Sequence, residues 1–159
     1  MRARTEAPAF VADVMLGRLA KTLRMLGYDV AYRSDASDDA VRLLALREGR
    51  VVLTRDHEIA ATSLPIRVVL VEGDRVADQL RHVVRALGLS VDESRLFTRC
   101  LLCNDPVVEL PAEGARDLVP QYVHRTQARF ARCPSCGRIY WAATHVERAR
   151  KWLSLALGA

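Results

Sequence analysis

The chain has 159 residues, half of them hydrophobic and 27% charged, a balance that excludes a disordered polypeptide and suffices for one main domain with a small appendage. No stretch approaches the roughly 20 apolar residues of a membrane span, and no long apolar region follows the opening residues as in a secretory signal, so the expectation is a cytoplasmic protein with no membrane partner. The net charge of +5 rests on arginine, since only Lys21 and Lys151 among the 24 basic residues are lysine. Arginine grips phosphate in a bidentate way, which suits nucleic acid, although a GC-rich genome yields the same composition.

In chain order, residues 10–14 form a short apolar run that reads as a strand. Residues 16–26 repeat apolar side chains at helical spacing (Leu16, Leu19, Ala20, Leu23, Leu26) and stop at Gly27. Residues 28–32 read as a second strand. A helix over 37–48 follows, with Ser37 as N-cap and Gly49 as its stop. Residues 51–53 form a third strand, with a short helical turn after Asp56. Residues 66–71 form a fourth strand, and 75–87 a helix ending at Gly88. This alternation predicts an α/β fold, a parallel sheet with helices on both faces, whose functional crevice lies beyond the carboxyl ends of the strands. From Asp92 the character changes to an irregular segment with Pro106, Pro111, Gly114 and Pro120. A last helix is expected from Thr144, which forms a possible capping box with Glu147.

Cys100 and Cys103 form one C-x-x-C, Cys133 and Cys136 another, with residues 104–132 between them. Two such knuckles supply a tetrahedral thiolate set, and Gly137 permits the left-handed turn a knuckle needs. A redox C-x-x-C would occur once, at the start of a helix after a strand. Four chance cysteines would not fall in pairs. The expectation is one structural Zn²⁺ in a small C-terminal ribbon, because four thiolates leave no position for water or substrate. His124 and His145 are not needed as ligands.

Five acidic residues lie where the strand-end rule points: Asp13 after the first strand, Asp38 and Asp39 at the second helix, Asp56 after the third strand and Asp74 after the fourth. Converging carboxylates repel one another unless a cation lies between them, and hard ions such as Mg²⁺ or Mn²⁺ favour oxygen ligands. Such ions promote displacement at phosphorus. Each residue also has a simpler role open to it. Asp38 and Asp39 suit a helix N-terminus, and Asp56 and Asp74 are candidate N-caps. Asp13, set among Phe10, Val11, Val14 and Met15, is the hardest to explain that way. Arg18, Lys21 and Arg24 recur at spacings of three, and with Arg33 and Arg55 they are candidates for holding phosphates, a solvated basic face being the alternative. His57 is a candidate proton shuttle or a plain helix-start histidine.

The run Asp13-Val14-Met15-Leu16-Gly17-Arg18-Leu19-Ala20, with Leu23-Arg24-Met25-Leu26-Gly27-Tyr28-Asp29, resembles the prokaryotic PIN-like domain related to the C-terminus of the nematode mutator-seven exonuclease. Ser37-Asp38-Asp39, Arg47-Glu48-Gly49-Arg50, Leu53-Thr54-Arg55-Asp56 and Ser94 to Cys100 carry it further. The cysteine module with Arg138-Ile139-Tyr140-Trp141 and Thr144-His145 is similar to that family's zinc ribbon. The resemblance covers about residues 9–153.

It implies a PIN-like domain over 1–96, a zinc ribbon with a terminal helix over 97–159, and a Mg²⁺- or Mn²⁺-dependent ribonuclease. The implied acidic site falls on Asp13, Asp38 or Asp39, and Asp56, with Asp74 a fourth. Arg18, Lys21 and Arg55 are the expected RNA-binding residues. The ribbon is expected to help dock structured RNA, through Arg138, Tyr140 and Trp141 where the two aromatics are not ribbon core. The alternative function is a non-catalytic RNA- or ribosome-binding adapter. A phosphatase is disfavoured because no D-x-D follows the first strand.

Overall fold

The computed structural model describes residues 6–142 and 144–158. Its main body is a four-stranded, all-parallel sheet in the order β2-β1-β3-β4, formed by β1 (Phe10–Ala12), β2 (Val30–Ala31), β3 (Val51–Thr54) and β4 (Val68–Leu70). Because both faces are covered, β1 and β3 are buried along their whole length. The two-residue side-chain period then splits them between two cores. Phe10, Ala12 and Leu53 pack with Leu19 and Leu23 of α1 (Gly17–Met25), with Leu26 at its C-cap, and with Leu80 and Val83 of α4 (Val76–Leu87). On the other face, Val11 and Val52 pack with Val41 and Ala45 of α2 (Asp38–Glu48) and Ile59 of α3 (His57–Ala60). The fold is thus the expected α/β sheet flanked by helices.

The local signals act as expected at most boundaries. Ser37 Oγ accepts from Ala40 N at 3.2 Å, and the left-handed Gly49 ends α2 with φ +65°. Two boundaries shift. A 3-10 turn (Val14–Leu16) separates β1 from α1, capped by Asp13, and β2 shrinks to two residues.

A second, antiparallel sheet of order β5-β6-β7 is made by β5 (Val108–Leu110), β6 (Phe130–Arg132) and β7 (Ile139–Trp141). The segment expected to be irregular instead holds two short helices, α5 (Ala112–Ala115) and α6 (Gln121–Thr126). Their N-caps are Pro111 and Pro120, so these prolines start helices rather than merely interrupt the chain. Ala115, Val119, Val123 and Phe130 form a small core there, with Trp141 against it.

The last helix, α7 (Thr144–Leu157), returns to the main body. Its Leu153 is 4% exposed within the α1–α4 core, and Arg81 of α4 donates to the Ala156 carbonyl at 2.8 Å. The Thr144 side chain, and with it the expected capping box, lies outside the described residues.

Candidate functional site

The strand order reverses at β1. The chain passes through α1 to β2 on one side, then through α2 to β3 on the other, so the crevice beyond β1 and β3 is the switch point where such sheets bind ligands. Asp13 stands there, 3% exposed. One carboxylate oxygen accepts from Met15 N at 2.8 Å, which caps the 3-10 turn. The other accepts from the Thr54 hydroxyl and from Arg55 N at 3.2 Å. A carboxylate offers about four acceptor positions, so three donors fix Asp13 while leaving one direction open.

The Thr54 hydroxyl also accepts from Asp56 N at 2.9 Å, coupling Asp13 to the end of β3. Sequence reasoning does not single out Thr54; the available signal is a polar residue closing the apolar strand Val51-Val52-Leu53. Asp56 itself caps α3, accepting from Glu58 N at 2.7 Å, and exposed His57 is the first residue of that helix.

Asp38 and Asp39 occupy the exposed first turn of α2, where Asp39 pairs with Arg42 at 3.2 Å. Asp74 is not the cap of α4, which is Arg75. Its carboxylate is fully solvated, 3.4 Å from Arg55, whose other nitrogen donates to the Gly73 carbonyl. Among the described residues, these aspartates form no group of three with ligand oxygens within 4.8 Å of one another.

Arg18 and Lys21 are exposed on α1, as phosphate-binding residues must be. Arg24 is not. It is 4% exposed, donating Nε and Nη2 to the Val30 carbonyl at 2.9 and 2.8 Å, and Nη1 to the carbonyls of Leu101 and Leu102 at 2.9 and 3.1 Å. Each step of three residues lags the 3.6-residue turn by about 60°, so two steps turn Arg24 about 120° away from Arg18 and into the protein. Arg33 is paired with Asp35 at the surface.

The four cysteines are free thiols whose sulfurs all lie within 4.8 Å of one another. A tetrahedron with Zn–S bonds of ~2.3 Å has edges of about 3.8 Å. The Cys100 and Cys136 sulfurs are 3.8 Å apart. The quartet therefore fits a metal ion such as zinc. The two knuckles repeat one geometry: Asn104 N donates to the Cys100 carbonyl and Gly137 N to the Cys133 carbonyl, both at 2.9 Å, with φ of +70° and +74°. Burial pushes the Cys100 thiol up, but hydrogen bonds from the Tyr140 hydroxyl and from backbone N–H groups outweigh it and draw it down to about 6. The Tyr140 hydroxyl lies 3.1 Å from that sulfur. Tyr140 thus serves the thiolates and Trp141 the ribbon core.

The first knuckle is bonded to the main sheet. Asn104 accepts from Val30 N at 2.8 Å, continuing the free edge of β2, and donates to Asp29 at 2.7 Å. Arg50 closes the network on Asp29 at 2.7 Å. Arg24 and Asn104 clamp both backbone polar groups of Val30. Their long separation in sequence is why no local pattern shows this.

The profile of the Mut7-C RNAse domain matches residues 8–153, which takes in the sheet, the aspartates and the four cysteines. The chain belongs to the Mut7-C family. It is also similar to an exonuclease mut-7 homolog of Homo sapiens, 30% identical over 99 residues, covering 59% of this chain. The chain spans only 11% of that relative's length. No solved structure matches. The family's description as an RNAse domain and the relative's as an exonuclease support a nuclease-like function, and among the described residues no helix is long and apolar enough to cross a membrane.

Proposed function

We propose that this Mut7-C domain is a PIN-like, metal-dependent ribonuclease that hydrolyses RNA phosphodiester bonds at the carboxyl edge of its parallel sheet. The observation that carries the reading is Asp13, a buried carboxylate fixed at the switch point between β1 and β3 in a chain of an RNase family. Asp13, Asp56 and one of Asp38 and Asp39 would hold Mg²⁺ or Mn²⁺, with Asp74 as a fourth. The ion would supply Lewis-acid polarisation of the scissile phosphate and activation of the attacking water. Thr54 and the amides of Met15 and Arg55 keep Asp13 in place, so no reorganisation is needed when substrate arrives. Exposed Arg18 and Lys21 would neutralise flanking phosphates, joined by Arg55 if RNA displaces Asp74 from it. The cysteine quartet would hold structural Zn²⁺, with the ribbon helping to dock structured RNA. Arg138 remains the ribbon residue suited to phosphate.

The test is incubation of the purified protein with single-stranded and hairpin RNAs in Mn²⁺, in Mg²⁺ and without added divalent ion. Cleavage should require the added ion. An RNA-binding adapter is the second reading, supported by the three hydrogen bonds already on Asp13 and by the spread of the other carboxylates. Binding without cleavage under every ion would favour it.

A further inference from the structure

A cavity of about 310 Å³ opens beside β2, between the start of α2 and the first cysteine knuckle. Val11 and Ala31 line it from the sheet, and Ala36, Ala40, Val41 and Leu44 from α2 and the loop before it. Ala40 in the first turn of α2 and Ala36 just before it leave a slot that larger side chains would fill. Leu102, Cys103 and Asn104 form the facing wall.

Ala12, Arg24, Tyr32 and Arg33 complete the lining, the last two at the end of β2. The Tyr32 hydroxyl donates to the Val14 carbonyl at 3.0 Å, joining the cavity to the segment after Asp13. There Val14 and Met15 leave 41% and 69% of their surface in water, an apolar pavement beside the acidic edge. The ring lies so close to α1 that a Cβ on Gly17 would come within 2.7 Å of its oxygen. Arg33 presents a solvated guanidinium nearby.

An apolar slot with an aromatic ring and an arginine in its lining suits a flat heterocycle carried on a phosphate chain. Its position says which chain. Ala12 lines the cavity and Asp13 follows it; Ala36 and Ala40 bracket Asp38 and Asp39. A base in the slot and a phosphate at the acidic edge are thus neighbours along one strand. A base held in a duplex cannot turn into such a slot without unpairing.

We propose that this cavity is a nucleobase pocket, taking one unpaired base of an RNA whose adjacent phosphate lies at the Asp13 edge. The proposal rests on the ribonuclease reading for the identity of the strand. Its test uses binding rather than cleavage, so the two fail separately. The probe is a short fluorescein-labelled single-stranded RNA, compared with the same strand annealed to its complement, without added divalent ion. Wild type should prefer the single strand by about tenfold, and exposed Ala40→Trp, which fills the slot, should abolish that preference while leaving duplex binding unchanged. Leu102→Trp blocks the slot from the opposite wall, at a residue 48% exposed, and carries the test if Ala40→Trp does not fold. Unchanged single-strand binding in folded Ala40→Trp or Leu102→Trp overturns the pocket, as would an occupant that proved to be a peptide side chain. Loss of single-strand preference in the variants, with wild type cleaving no RNA in any ion, would uphold the pocket and sink the nuclease reading.

Discussion

At Asn104 a left-handed backbone, which glycine would adopt at lower cost, carries a side chain whose amide bonds β2 and Asp29. Asn104→Gly should keep the knuckle turn and the metal but lose about 1–2 kcal/mol of stability, read by urea unfolding beside zinc content. Asp29 gives this network a pH dependence. Burial pushes its carboxyl up, but hydrogen bonds from Arg50 and Asn104 prevail and hold it below the usual carboxylate range. A depressed folded value stabilises above the unfolded pKa of about 4, and that stability is lost as pH falls through the folded value. Asp29→Asn should therefore be less stable than wild type at neutral pH, with the gap closing below about pH 4 in a series of thermal melts. At this scale the sequence is partly legible. Asp13 stands out as a charge among apolar residues, whereas Asn104 and Thr54 look ordinary because their partners come from other elements.

Helices and strands follow from periodicity where burial is one-sided or complete, as for α1, α2, β1 and β3. The reading falters where tertiary contacts override pattern. Arg24 sits in a basic triplet with Arg18 and Lys21, yet three-residue spacing drifts around the helix and carries it inside. There its guanidinium joins β2 to the first knuckle through four hydrogen bonds. Arg24→Met, which keeps the packing but strands those carbonyls, should cost about 2–4 kcal/mol, measured by denaturant unfolding. The proline-rich stretch misleads for another reason: proline bars a helix interior but suits a helix start, and Pro111 and Pro120 occupy such starts. Helix α7 follows the ribbon in sequence and packs on α4 in space. Leu153→Ala should cost about 2–5 kcal/mol and loosen the main body, visible as faster amide exchange in α4.

Over the whole molecule, the cysteine module and the parallel sheet are joined by Arg24, Asn104 and α7. With zinc held by the cysteine quartet as proposed, its removal by a strong chelator should therefore free amides beyond the ribbon. Exchange at Val30 N, which donates to Asn104, should rise along with exchange in the knuckles, and unchanged protection at Val30 would show that the two parts are independent. On the proposed reading, the ion at the acidic edge should leave first, and zinc later. In the proposed function the acidic edge carries the chemistry, and single-turnover cleavage of one RNA in Mn²⁺ by wild type, Asp13→Asn and Asp74→Asn tests that most directly. Asp13→Asn should lose about a hundredfold or more, and solvated Asp74→Asn much less. Full activity in a correctly folded Asp13→Asn protein would contradict the proposed function.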